Sequence, residues 1–153
     1  METKLYVLGF AMDEKANHIV LVHKDRPEWQ KGLINAVGGK IEDFDKNYPV
    51  AMAREFFEET GLPTFADDWQ EFAILHFGED KLGGEAMVFC FRLFSDAIFE
   101  VRTQETEKIE IFDIGYNFKG YRTLARQLTV GHLPVTVSMA KDKNFKFADI
   151  KMQ

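Results

Sequence analysis

The chain has a single cysteine, which excludes a disulfide framework and leaves no thiol set for a zinc site. That residue, Cys90, lies inside the apolar run AMVFCFRLF, where a small buried hydrophobe is expected rather than a nucleophile. No apolar stretch approaches the roughly 20 residues needed to span a bilayer. The opening METKLYVLGF also lacks the small-residue cleavage site of a secretory leader, so a cytoplasmic location and no membrane partner are expected. Basic residues are in deficit: 19 Lys and Arg against 25 Asp and Glu give a formal net charge of -6. This balance disfavours extended, nonspecific binding to nucleic acid but leaves room for a small phosphorylated ligand that arrives with metal ions. Repeats, low-complexity segments and internal linkers are absent as well, and 153 residues with 15 Phe suit one domain over 1–153.

What is present reads as more strand than helix. KLYVLGFAM and HIVLVHK are rich in β-formers and flank the polar cluster DEKAN, which predicts a hairpin. The following segment, DRPEWQKGLINAVGGKIEDFDKNYP, is dense in Gly, Pro, Asn and Asp and reads as a long ordered loop, of the kind that often carries function. Residues 49–60 predict the clearest helix, with Asn47 or Tyr48 as its cap, Pro49 in its first turn and Gly61 just past its end. Two strands, WQEFAILHFGED and GEAMVFCFRLFSD, and a third, KIEIFDI, come next; FKGYRTLARQL reads as a second helix and PVTVSMA as a short one near the end. The expected product is an α/β fold, a mixed sheet with helices on its faces.

The first helix carries an unusual charge cluster. At about 100° per residue, Glu58 and Glu59 project at about -60° and +40° from Glu55, so all three share one face. Val50, Ala53 and Phe57 fall opposite. Two readings follow: an amphipathic helix with a solvated acidic side, or a cation site whose ion relieves the mutual repulsion of the carboxylates. Mg²⁺ is the apt ion, since it takes a few carboxylate oxygens together with substrate phosphates.

The stretch GGKIEDFDKNYPVAMAREFFEETGL, residues 38–62, resembles the signature of the Nudix hydrolases, in which G, five residues, E and seven residues precede R-E-U-x-E-E-x-G-U with U a bulky apolar residue. Gly39, Arg54, Glu55, Phe56, Glu58, Glu59, Gly61 and Leu62 match it. Two departures stand out: Asp45 replaces the first glutamate, and eight residues rather than seven separate it from Arg54. Phe56 also stands where an aliphatic residue is commoner.

The resemblance implies a MutT-like Nudix fold, an α/β/α sandwich, and Mg²⁺-dependent hydrolysis of a nucleoside diphosphate linked to X, with Mn²⁺ able to substitute. It implies metal-facing carboxylates at Glu55, Glu58 and Glu59, and a metal-facing carbonyl at Gly38. Gly38 and Gly39 are expected to admit the ion close to the main chain and to adopt torsions closed to other residues. Arg54 is expected to fix a carboxylate, Glu42 or Asp45, and Lys40 to touch phosphate or remain a surface lysine. The family's later loop carboxylate, general base or further metal ligand, falls on Glu107, with Glu105 as the alternative. Asn35 occupies the offset at which MutT-like members read the base edge, and an ordinary strand-end asparagine is the competing reading. Tyr116, Phe118 and Tyr121 are candidates for stacking on a base. The markers of ADP-ribose pyrophosphatases and dinucleoside polyphosphate hydrolases are missing from HFGED, residues 76–80, which tilts the expectation toward a nucleoside triphosphate, including an oxidised purine. ADP-ribose, dinucleotide or RNA-cap hydrolysis, and a binding module without turnover, are the alternatives. A homodimer, frequent in the family, is compatible with the resemblance.

Overall fold

The computed structural model describes residues 3–78, 84–115 and 120–152. Strands β1 (Lys4–Met12) and β2 (His18–His23) form the expected hairpin, but they pair only at Ala11–Val20 and Met12–Ile19. Beyond those pairs they splay, and β3 (Ile34–Lys40) enters between them, antiparallel to both. This strand lies inside the segment read from sequence as a loop. Asn35, Gly38 and Gly39 are poor strand formers on their own, and the extended backbone is imposed by neighbours on both sides.

β4 (Gln70–Phe77), β5 (Ala86–Phe94), β6 (Ile109–Asp113), β7 (Arg122–Thr123) and β8 (Ala148–Lys151) complete a mixed sheet in the order β7-β6-β2-β3-β1-β5-β4-β8. β1 runs parallel to β5 over nine paired residues, and β4 runs parallel to β8. The predicted helix over 118–128 does not form; among its described residues there are only β7 and a single 3-10 turn, Leu124–Arg126. Its backbone is drawn into pairing instead: Leu128 accepts from Ile34 N at 2.9 Å, and Val130 N donates to Ile34 O at 2.9 Å. Gly120, at φ 98°, turns the chain toward β7.

Two helices cover the sheet. α1 (Tyr48–Thr60) starts where the Asn47 side chain accepts from Val50 N at 2.9 Å, and it ends at Gly61, whose left-handed φ of 74° suits a residue without Cβ. Its Ala51, Met52 and Phe56 pack on Val7, Ala11, Val20 and Val37. α2 (Leu133–Lys141), the short helix expected near the end, lays Leu133, Val137 and Ala140 against the other face, on Leu8, Phe10, Met12 and Leu21. β1 thus contributes alternate residues to two cores, which is why it reads as a nearly unbroken apolar run. The α/β/α sandwich is as expected, and Cys90 is fully buried within the second of these cores. Among the described residues no helix is long and apolar enough to cross a membrane.

The α2 layer is pinned by a buried arginine. Arg92 of β5 donates to the carbonyls of Met139, Ala140 and Asp142 at 3.3, 3.3 and 2.8 Å, and to Phe145 O at 2.6 Å, while its Nε meets Gln70 Oε1 at 3.0 Å. A helix leaves its last carbonyls without partners, and a cation at that end also suits the macrodipole. An apolar replacement would strand those buried acceptors. Arg92→Leu is therefore expected to lower the unfolding free energy by about 2–4 kcal/mol in urea titrations, and an unchanged midpoint would remove the capping role.

Candidate active site

On α1 the buried side lies next to the glutamates rather than opposite them. Met52, Phe56 and Thr60 are buried, Phe56 with its ring edge-on to Trp69 at 5.2 Å, whereas Phe57 is 52% exposed. Phe57 therefore faces outward, while Val50 and Ala53 are only half-buried, a correction to the simple amphipathic picture. The three glutamates straddle the border of the packed face: Glu58 is exposed, Glu55 is half-buried and Glu59 is only 8% exposed.

Arg54 organises this border. Its Nε and one terminal nitrogen grip both oxygens of Asp45 at 2.8 Å each; the other terminal nitrogen reaches Glu55 at 3.1 Å and Glu58 at 3.0 Å. It also donates to Lys40 O at 3.2 Å. Asp45, not Glu42, is thus the carboxylate that Arg54 fixes. Asp45 in turn accepts from Glu42 N at 2.9 Å, so the loop with the inserted residue closes on the same pair. The Arg54 hydrogen bonds hold the Asp45 carboxyl below its ordinary pKa despite burial, and the partner carboxylates raise that of Arg54.

The two glycines serve space rather than unusual torsions, since neither has a positive φ. A Cβ on Gly38 would sit 2.1 Å from Val7 O of β1, and one on Gly39 would sit 2.4 Å from the Glu55 carboxyl carbon. Gly38 therefore lets β3 lie against β1, and Gly39 seats Glu55 over the strand.

The later loop is sewn to the end of α1. Arg102 N and Gln104 N donate to Thr60 O at 2.9 Å and Glu59 O at 3.2 Å, filling helix-end carbonyls and bringing Glu105 toward Glu59. Glu107 has both oxygens engaged: Lys24 Nζ at 3.0 Å on one, Asp25 N at 2.7 Å and Arg26 N at 3.3 Å on the other. Burial alone would raise its pKa, but these donors outweigh it and keep the group ionised. Glu105 is exposed and its charge acts on both Glu55 and Glu59. Burial, offset in part by Arg54, raises the Glu55 pKa. Glu59 is pushed up to about 8, first by burial and then by the charges of Glu55, Glu105 and Glu107, against the pull of Lys24.

These groups line a cavity of about 710 Å³. Gly38, Gly39, Lys40, Glu42, Glu55, Glu59, Glu105 and Glu107 border it, together with Lys24 and Arg26. Trp29, Phe77, Val88, Leu8 and His132 give it an apolar, aromatic portion, and Asn35 lines it beside Gln30, to which it donates at 3.1 Å. The structure thus brings together all of the metal, phosphate and base candidates except Glu58 and Arg54, which lie just behind the rim. Tyr121 packs on His18, 4.8 Å between centroids, and lines a different depression, so it does not join this surface. Tyr116 and Phe118 lie outside the described residues. Lys24, Arg26, Gln30, Phe77 and His132 were not foreseen; none belongs to a local motif, and all are assembled by the fold.

The donors fit a hard divalent cation in their chemistry. They are oxygens, they repel one another, and the buried Glu59 Oε2 has no hydrogen-bond partner among the described residues. Among those residues no three acidic, histidine or cysteine side chains already converge on a single point, because Arg54 holds Glu55 and Glu58.

A family profile described as the NUDIX domain matches residues 3–119. Solved structures with the same fold include a MutT protein from Bacillus halodurans, 16% identical over 98% of this chain and 90% of that one, with a TM-score of 0.67. The NUDIX domain of Shewanella oneidensis NrtR, crystallised with ADP ribose, is 15% identical over 74% of each chain, with a TM-score of 0.62. A MutT/nudix family protein from Enterococcus faecalis is 12% identical over 74% of this chain, with a TM-score of 0.60, and this chain spans only 44% of its length. No curated protein gives a significant sequence match.

The two glycines separate in experiment. Gly38→Ala meets backbone and is expected to impair folding, seen as a lower melting temperature. Gly39→Ala meets a movable side chain and is expected to melt near the wild type while losing Mn²⁺ uptake in calorimetry; equal behaviour of the two would contradict this assignment. Glu59 sets a pH dependence. The folded protein keeps its proton up to about pH 8, whereas the unfolded chain releases it near the ordinary value of 4.5. Its stabilising contribution is therefore complete below 4.5 and is lost as pH rises through about 8. The melting temperature of the metal-free protein is expected to fall across that window, and Glu59→Gln to flatten the fall. An identical slope in the variant would show that another group is responsible.

Proposed function

The chain belongs to the Nudix family, and from that premise we propose that it hydrolyses a nucleoside diphosphate linked to X, with a nucleoside triphosphate giving the monophosphate and pyrophosphate as the best-supported case. The observation that carries this reading is the mixed lining of one cavity: carboxylates and cations together with aromatic rings and an amide pair. A polyphosphate needs the first and a base the second.

Glu55, Glu58, Glu59 and the Gly38 carbonyl would hold Mg²⁺, with Mn²⁺ able to substitute. When bound, the cation supplies positive charge that neutralises pyrophosphate oxygens. Uptake requires Glu59 to release its proton, so binding strengthens as pH rises. Lys24, Arg26 and Lys40 line the same cavity and would orient the phosphates. Water attacks phosphorus, the bridging P–O bond breaks with its electron pair going to the departing phosphate, and the water proton passes to a carboxylate.

For that carboxylate we favour Glu105 over Glu107. Glu107 spends both oxygens on Lys24 and two backbone N–H groups, the geometry of an anchor, whereas Glu105 lines the cavity without such bonds among the described residues. Asp45 takes the place of the family's first glutamate by gripping Arg54. ADP-ribose remains a second reading, favoured by the likeness to the NrtR domain that binds it.

A panel of nucleoside triphosphates, oxidised purine triphosphates, ADP-ribose, NADH, FAD and dinucleoside polyphosphates with Mg²⁺, resolved by product, tests the activity. Absence of any product would leave a nucleotide-binding module. With the best substrate, Glu105→Gln is expected to lower kcat by about 10²–10⁴ with little change in melting temperature. Glu107→Gln should lower the melting temperature and cost less in kcat. The opposite pattern would return the base to Glu107.

A further inference from the structure

The same cavity is lined by a histidine that no part of the Nudix signature explains. His132 sits at the start of α2, and its ring meets Phe77 edge-on at 6.4 Å. Nδ1 lies 3.1 Å from Thr136 Oγ1. That hydroxyl has one proton, and it also lies 3.1 Å from His132 O and 3.3 Å from Leu133 O, which can only accept. Where Thr136 gives its proton to these carbonyls, the usual back-bond of a helical threonine, it accepts from the ring. In that arrangement the imidazole hydrogen is on Nδ1, and Nε2 keeps a bare lone pair. Burial lowers the pKa of the ring to about 4, so it stays neutral near pH 7.

The amides in the same cavity have the complementary pattern. Asn35 Oδ1 accepts from Ala36 N at 2.8 Å, and its Nδ2 donates to Gln30 Oε1 at 3.1 Å. The N–H groups left over are the Gln30 NH₂ and the second Asn35 N–H, beside one spare lone pair on each amide oxygen. The cavity therefore offers an acceptor from α2 and donors from β3 and the preceding loop.

We propose that His132 is a specificity-determining residue for the nucleoside part of the substrate: its Nε2 accepts a hydrogen bond from a base N–H, while the Gln30–Asn35 pair donates to an acceptor on the same base. This rests on the nucleotide reading of the cavity. Thr136 is the positioning residue that holds the required tautomer.

Nitrogen-15 NMR of histidine-labelled protein tests the first step, with a protonated Nδ1 and a bare Nε2 expected for His132. Added GMP or AMP should shift the Nε2 resonance, whereas inorganic tripolyphosphate should not. In kinetics with the best nucleoside triphosphate, His132→Phe is expected to raise KM roughly 10-fold at nearly constant kcat. His132→Gln, which retains an acceptor, should recover part of the loss, and inhibition by tripolyphosphate should be equal in all three proteins. A proton on Nε2, an unchanged KM, or an equal weakening of tripolyphosphate inhibition would overturn the proposal. If the wild type turns over no nucleotide, the proposed activity fails, and the spectrum alone decides this inference: an Nε2 resonance that responds to GMP or AMP supports it, and one that responds to neither overturns it.

Discussion

Carboxylates kept close together and partly out of water are the constraint around which this molecule is arranged. Glu55 and Glu59 are destabilised as anions first by burial, with Glu58 and Glu105 adding to the field at Glu55, and Glu55, Glu105 and Glu107 at Glu59. Such a cluster persists only if the chain is held there by other means. Arg54 ties two of the glutamates to Asp45, the Lys24–Glu107 pair braces the opposite wall, and backbone bonds from Arg102 and Gln104 fasten the late loop to the helix end. Gly39 removes the side chain that would push Glu55 of α1 away, and Gly38 the one that would part β3 from β1. The result is a set of acidic groups preorganised at a cost that a bound cation would relieve.

The sheet carries that cluster to the rest of the cavity. β3 wedges between the splayed ends of the hairpin, and its residues reach from the amide of Asn35 to the glycines beneath Glu55. One seven-residue strand thus borders both the amide pair and the acidic cluster.

Much of this was legible in the sequence, and the failures have physical causes. Local preference and short-range period identified the caps of α1, five strands and the short helix near the end, while resemblance to a family motif identified the signature. β3 was hidden because its residues have little strand preference and its partners are distant. Angular arithmetic put the three glutamates on one side of α1 but could not say which neighbouring side met the sheet; Phe57 turned outward and Met52 inward. The helical pattern over 118–128 yielded to backbone bonds with Ile34. The bonds that engage both Glu107 oxygens were not visible in the sequence, because their donors, residues 24–26, come from another part of the chain. His132 had no signal at all, since only the docking of α2 brings it to the cavity.

The two helices bury their side chains in separate clusters on opposite sides of the sheet, α1 with Val7 and Val37, α2 with Leu8 and Leu21. The two layers share a strand but no packing core. Substitutions in the α2 layer can therefore be absorbed without repacking the side chains that seat the acidic cluster.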